Sequence, residues 1–426
     1  MSVSESSNLD KVTIMDKVRG ALIGSALGDT IGLYTEFLTP QMAKKCYPTE
    51  HFSLVEPATK LYQDYHRARF EPCAWTDDTD HTLLIILSYL REGELNPNGF
   101  AKRLRIWCEQ GLLVLNRLPM GLGRTVGSVV LDPSYLDHPT QTAYEKWIRS
   151  GKYIAPNGSV MRTIPIGVIC LGENKSEIET FEAAIKMGAV THVDPRCGLS
   201  VAIVSALVMA LCKDEIRNER DLDGLLERAW AYVSKKYEFV AEDDKENPEG
   251  GMDREDFDRY VYAKELDDME LHDAQKMGYT YKCLGSGIWC LRQVLTRRET
   301  FKSAMVKLIM CGGDADTNGA VAGGLMGALV EWEYLPKEWR DGMKHKEWYN
   351  KKIDQLSVVL GWMDGIYQRL EDSDTEEHGG RGVLSAEEIK KREMEVMEKI
   401  LLAEKKRAED AEAERKASRK SAWFNW

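Results

Sequence analysis

The chain has no excess of positive charge: 57 lysines and arginines stand against 69 aspartates and glutamates, a net of −12. That balance argues against a protein whose main task is to wrap nucleic acid or to lie on an anionic membrane. It leaves room for an anionic small ligand, because backbone amides, helix N-termini and bound cations supply positive potential locally. The longest apolar stretches, such as Leu199–Cys212 and Ala320–Val330, fall short of the ~20 residues that span a bilayer. The polar start, Met1 to Lys11, lacks a basic-then-apolar run, so no secretory signal is expected. Nine cysteines are scattered singly and none forms a CxxC pair. They read as buried thiols in a reducing compartment, cytoplasm or nucleus, rather than as a disulfide frame or a zinc site. Period-two alternation is scarce and no fixed-period repeat is evident, which disfavours sheets and solenoids.

Helical periodicity is what the chain has. Ile14, Val18, Leu22 and Ile23 mark one apolar face, and Leu83, Leu84, Leu87 and Leu90 mark another. Similar faces recur at 176–190, 195–212, 221–236, 299–310, 315–332 and 350–370. The expectation is an all-α fold: a flexible N-terminus over 1–12 and a single large orthogonal helical domain over 13–370. An acidic, turn-rich stretch at 241–273 reads as a surface insertion. From 371 a charged linker with a Gly-Gly-Arg-Gly break leads into a tail, 385–420, rich in Ala, Glu, Lys and Arg. Ile389, Val396, Ile400 and Ala403 give that tail a thin apolar seam. It predicts a long helix that is either solvated or available for self-association or a docking partner.

Two constellations carry chemistry. In Trp75-Thr76-Asp77-Asp78-Thr79-Asp80 five oxygen-bearing side chains run consecutively before a helix expected to start near His81. Capping free amides needs one or two such residues. Adjacent carboxylates without a counter-charge repel one another, and a hard cation removes the repulsion. Downstream, Gly312-Gly313-Asp314-Ala315-Asp316-Thr317-Asn318-Gly319 leads into an Ala/Gly-rich helix. Asp314-x-Asp316-x-Asn318-Gly319 matches the opening of an EF-hand loop, but the twelfth position is Leu325 rather than the bidentate Glu that loop requires. Two oxygen-rich helix starts instead suggest two halves of one dinuclear site. A third element, Gly20 to Gly32 with glycines at four-residue spacing, suggests close helix packing or backbone approach to a ligand and is followed by Glu36, a candidate water-activating base. Gly121-Leu122-Gly123-Arg124-Thr125 and Pro156-Asn157-Gly158-Ser159 are turns opening helical segments, suited to phosphate contact. His192 precedes another helix.

In order, these blocks resemble the ADP-ribosylglycohydrolase family, which includes ADP-ribosyl-acceptor hydrolases and dinitrogenase-reductase-activating glycohydrolases. The blocks are GALIGSALGDTIG…E (20–36), WTDDT (75–79), GLGRT (121–125), NGSVMR (157–162), TH (191–192) and GGDADTNGAVAG (312–323). The resemblance implies an all-α fold with two Mg²⁺ ions, or Mn²⁺, in a central cleft. It implies Thr76, Asp77, Asp78, Asp314, Asp316 and Thr317 as metal ligands, and Glu36, Asp77 or Asp316 as the catalytic carboxylate. Asn157, Gly158, Ser159 and His192 would line the ADP-ribose pocket, with Gly121 and Gly123 near the phosphates. The segment Tyr153-Ile154-Ala155-Pro156 departs from the glycine-richer version of some members. The implied reaction is hydrolysis of the glycosidic bond between ADP-ribose and an acceptor, with an ADP-ribosylated substrate or conjugate as partner and neither nucleic acid nor membrane. A catalytically silent ADP-ribose-binding protein and a different metal-dependent phosphohydrolase are the alternatives.

Overall fold

The computed structural model describes residues 11–237 and 252–424, with side chains described as far as 409. Among the described residues helices dominate and no strand forms; the β-bridges Leu112–Arg117 and Pro156–Tyr279 are isolated. The all-α expectation holds.

The centre of the molecule is a pair of helices, Lys11–Gly32 and Ala315–Val330, packed antiparallel with their backbones touching. A Cβ added at Gly20 would lie 2.3 Å from the Gly327 carbonyl oxygen, at Gly24 2.4 Å from that of Gly323, and at Gly28 1.9 Å from that of Gly319. The four-residue glycine spacing thus marks the contact, and no other residue type fits there. Around the pair sit Thr280–Leu295, Phe301–Ile309 and Pro195–Cys212. Pro195–Cys212 is, over its 18 residues, apolar and long enough to match a membrane span by composition, since Pro195 and Gly198 extend the apolar stretch seen in sequence; 94% of it is buried inside the protein, as in a core helix.

Three expectations are corrected. The helix expected over 350–370 ends at Val359; Gly361 and Gly365 adopt φ of +77° and +152°, outside the helical range. Of the stretch 241–273, residues 241–251 lie outside the described residues, but the rest is not a surface appendage. Arg254–Val261 is a helix whose Phe257, Tyr260 and Val261 are buried in the core, its acids occupying the opposite face. The chain after 370 is also no free linker. The fully buried Lys352 ammonium pairs with Asp372 at 2.7 Å and Asp374 at 3.0 Å. The buried Arg103 guanidinium donates to the Thr375 carbonyl at 2.6 Å and that of Glu376 at 3.1 Å. Both cations lose water on folding, and the strap supplies their partners.

The tail is one helix, Ala386–Phe424. Arg392 reaches the Asn116 side chain, and Ile400 and Ala403 are buried where the helix passes the Arg67–Arg69 turn. Two members of the apolar seam therefore dock on the chain's own domain.

The glycine contact predicts opposite signs for two Gly→Ala changes. Gly28→Ala forces backbone from backbone and costs about 3 kcal/mol or more, since neither helix can yield locally. Gly224→Ala, on the outer helix Glu219–Lys236 with only the Arg228 Nη1 tip at 3.3 Å, gains about 0.5–1 kcal/mol from backbone entropy and propensity. Urea denaturation of both variants checks the pair; equal effects would mean that the helices are not in backbone contact.

Candidate metal centre and substrate cleft

Each half of the centre is delivered by a helix start. Asp77, Asp78 and Asp80 lie in the first turn of Asp77–Glu92, where the unpaired amide ends favour carboxylates. The helix starts at Asp77 rather than near His81 because a carboxylate from outside caps it. Asp29, near the end of the first helix, accepts from the Thr76 amide at 2.8 Å, the Thr79 amide at 3.0 Å and the Thr79 hydroxyl at 2.6 Å. Thr76 makes no side-chain cap bond, and its hydroxyl donates to Asp78 Oδ2 at 3.1 Å. Asp80 turns into the core, accepting from Trp75 Nε1 at 2.8 Å and Trp107 Nε1 at 3.1 Å and pairing with Arg117 at 3.1 Å. It is a structural acid.

The other half is the start of Ala315–Val330, with Asp314 at the N-cap and Asp316 and Thr317 in the first turn. Gly312 and Gly313 both have φ of +67°, and a Cβ on either would lie about 2 Å from a carbonyl oxygen, of Leu38 and Leu271 respectively. The amide of Phe37 donates to the Gly313 carbonyl at 2.6 Å, and that of Gly313 to the Leu38 carbonyl at 3.0 Å. This exchange brings Glu36 beside Asp314 and Asp316.

The result is a crowd of buried acids. Carboxylate oxygens of Asp29, Asp78 and Asp316 all lie within 4.8 Å of one another, and so do those of Glu36, Asp314 and Asp316; Asp316 belongs to both groups. Asp77 belongs to neither: its Oδ1 faces Gly121, whose φ of +96° and missing Cβ (which would lie 1.9 Å from that oxygen) let the loop close over it. Burial, then neighbouring carboxylates, holds the Asp77, Asp78 and Asp316 carboxyls well above the usual range. Asp314 is raised by burial and Glu36, and burial pushes Asp29 up to about 6. Asp78 Oδ1 is buried without a hydrogen-bond partner. A hard divalent cation fits this donor set: oxygen-only, acidic, and with one orphaned oxygen.

Glu36 is buried rather than a surface acid. His66 Nε2 meets its Oε2, and Arg69 Nη2 donates to His66 Nδ1 at 2.6 Å, which leaves the ring hydrogen on Nε2 for Glu36. Sequence reasoning missed His66 and Asp29. Asp29 stands inside the glycine-rich block that ends at Glu36, so its position was a signal; His66, in Tyr65-His66-Arg67, had none.

Of the residues expected to meet substrate, Gly121 and Asn157 reach the centre itself. Asn157 Nδ2 donates to Asp314 Oδ2 at 2.8 Å, and its amide to the Gly278 carbonyl at 2.9 Å. Gly158, Ser159 and His192 cluster behind it: a Cβ on Gly158 would lie 3.1 Å from the His192 ring, and Ser159 is fully buried. Gly123 caps the helix Arg124–Val130, with open space where its side chain would be. Tyr153, Ile154, Arg196, Tyr260, Gly278 and Tyr279 line a cavity of about 460 Å³. It runs up to the acids at Gly278, whose absent Cβ would lie 3.5 Å from Asp314 Oδ2.

Comparison with known proteins identifies the family. The ADP-ribosylglycohydrolase family model matches residues 10–365. The ADP-ribosylarginine hydrolase Tri1 of Serratia proteamaculans is 24% identical, covering 80% of this chain and 79% of its own length. The ADP-ribosyl-[dinitrogen reductase] glycohydrolase of Rhodospirillum rubrum is 23% identical over 82% and 98%, and the ADP-ribosylhydrolase ARH3 of Xenopus tropicalis 26% over 80% and 96%. A solved structure, an ADP-ribosylglycohydrolase-related protein complex, shares the fold with a TM-score of 0.50 at 20% identity, covering 82% of this chain and 98% of that one. The chain belongs to the ADP-ribosylglycohydrolase family, hydrolases of ADP-ribose linkages.

Proposed function

We propose that this chain hydrolyses the bond between ADP-ribose and an acceptor at a centre of two divalent cations, Mg²⁺ with Mn²⁺ as a substitute. The observation that carries the reading is Asp316, shared between two carboxylate groups that each suit a cation, with its neighbour Asp314 beside Gly278 at the edge of a cavity of about 460 Å³. Thr76, Asp77, Asp78, Asp314, Asp316 and Thr317 would hold the ions. Bound there, they would orient the ribose hydroxyls and offset charge at the reacting sugar. Asn157, Gly158, Ser159 and His192 would bind ADP-ribose, with Gly121 and Gly123 beside the diphosphate. Glu36, oriented by His66, is the proposed acceptor of the proton from the attacking water, with Asp77 and Asp316 the other candidates. All nine cysteines are free, which supports a reducing compartment, cytoplasm or nucleus.

Asp316→Asn is expected to lower hydrolysis of an ADP-ribosylated peptide roughly a thousandfold or more, the several kcal/mol that metal-ion catalysis supplies. Folding should respond in the opposite direction. In chelator the variant melts above wild type, because one buried repelling acid is gone. With Mg²⁺ at a hundred times its dissociation constant, wild type gains about 2.7 kcal/mol and the variant does not. Undiminished Mg²⁺-dependent turnover by the variant would refute the centre.

The acids also set a pH dependence. Their folded pKa values are raised, so metal-free protein has their contribution in full below the unfolded value near 4 and loses it as pH rises through the folded values, about 6 for Asp29. Metal competes with those protons, so the Mg²⁺ increment in melting temperature should grow over the same range. Melting curves from pH 4.5 to 7.5, with and without Mg²⁺, should diverge upward in pH; parallel curves would count against cation binding by these acids.

The acceptor is open to direct test. Arginine-, serine- and O-acetyl-linked ADP-ribose, each offered with Mg²⁺, Mn²⁺ and chelator, should give released ADP-ribose for at least one linkage and only with metal. Release of phosphate instead would mark a phosphohydrolase.

A further inference from the structure

Behind the Asn157–Ser159 turn lies a cation without an acid. Arg162 is 1% exposed, has no salt bridge among the described residues, and stacks over the Phe100 ring at 4.9 Å. Its hydrogen-bond partner is the Thr191 hydroxyl, 2.7 Å from Nη2. Thr191 Oγ1 in turn lies 2.6 Å from His192 Nδ1. Proton counting orders this chain. A guanidinium only donates, so Thr191 Oγ1 accepts from Arg162. The one Thr191 O–H then needs an acceptor, and Nδ1 of His192 is the acceptor in reach. Were His192 instead to donate from Nδ1, the Thr191 hydrogen would be buried without a partner. Burial of the ring, and then the nearby guanidinium, disfavour an imidazolium. His192 Nε2 is buried with no partner, and the ring edge carrying it faces Gly158, where there is no side chain.

We propose that Arg162 and Thr191 are positioning residues that fix His192 as a neutral imidazole with its hydrogen on Nε2, making it a dedicated hydrogen-bond donor to an oxygen of bound ADP-ribose. His192 is then neither a proton acceptor in the reaction nor a metal ligand. The Arg162 charge, offset by no carboxylate among the described residues, adds positive potential around His192. This rests on the ADP-ribose reading above, but its protonation half stands apart from it.

The test uses the full chain labelled with ¹⁵N-histidine, His192 being assigned by its loss in His192→Phe. Without ligand, long-range ¹H–¹⁵N correlation near pH 7 should show His192 protonated on Nε2 alone. Thr191→Val, which matches the volume but removes the hydroxyl, should abolish that pure tautomer, and Thr191→Ser should restore it. ADP-ribose, titrated calorimetrically, should bind Thr191→Val about tenfold more weakly and Thr191→Ser within about twofold of wild type. A wild-type His192 that is charged, or protonated on Nδ1, overturns the relay, as does a tautomer unmoved in Thr191→Val. A correct tautomer with unchanged ADP-ribose affinity in Thr191→Val overturns the donor role. Absence of ADP-ribose binding by wild type would instead sink the functional reading while the tautomer remained readable.

Discussion

Two helices from opposite ends of the domain meet backbone to backbone, and the cluster of buried acids hangs from the ends of that contact. Gly20, Gly24 and Gly28 lie against Gly327, Gly323 and Gly319, and Gly32 lies against Ala315. Each glycine inside a helix costs roughly 0.8–1.0 kcal/mol against alanine, so the stripe is a net burden on local helix formation. What it secures is distance. Leucine-lined helices sit about 8–10 Å apart; these approach until carbonyl oxygens touch Cα atoms. At that separation Asp29, three residues before the end of one helix, and Asp316, in the first turn of the other, join the same group of acids. Asp29 then reaches across to cap Asp77–Glu92 and carries Asp78 into place. The order of dependence is glycine contact, then Asp29, then the second helix start.

The crowd of acids so assembled opposes folding when taken alone. Asp29, Glu36, Asp77, Asp78, Asp314 and Asp316 are buried or nearly so, and the histidine that touches them meets Glu36 only. A protein that needed only to fold would not place carboxyl groups where desolvation and mutual repulsion raise their pKa values. Structural acids here look different: Asp80 has two indoles and a guanidinium, and Asp372 has a lysine and a tyrosine. The contrast between satisfied and unsatisfied buried acids separates the centre from the scaffold.

Much of this was legible in the chain. The two Asp/Thr runs named Asp78, Asp314 and Asp316, and the residue at Leu325 removed the calcium-loop alternative. The glycine spacing allowed either close packing or approach to a ligand and named no partner, because a single sequence does not say which helix a stripe faces. Local pattern failed where the deciding partner lay far along the chain. The start of Asp77–Glu92 was placed late because its cap comes from residue 29. The Lys352–Asp372 fastening and the Arg103 carbonyl contacts were hidden because their residues read as ordinary surface charges. Phe257 was masked by the acids around it. His66 carried no signal, since its importance arises only from the fold placing it on Glu36.

The stretches outside the family match also bear on the centre. The match ends at residue 365, yet the strap beyond it satisfies two buried cations of the domain, and the tail helix continues from it past Asn116 to the Arg67–Arg69 turn. Arg69, in that turn, holds His66, and His66 holds Glu36. Arg67, beside it, fixes the carbonyls of Tyr34 and Glu36. The loop that orients the proposed proton acceptor is therefore clamped on one side by the domain and bordered on the other by the tail. A cavity of about 220 Å³ lies between them, lined by Arg69, Trp75, Arg117 and Met120 from the domain and by Arg392 and Lys399 from the tail. Met120 adjoins Gly121, which closes over Asp77. The tail thus faces the loop that leads to Gly121 and Asp77, and the charges it places there are this chain's own.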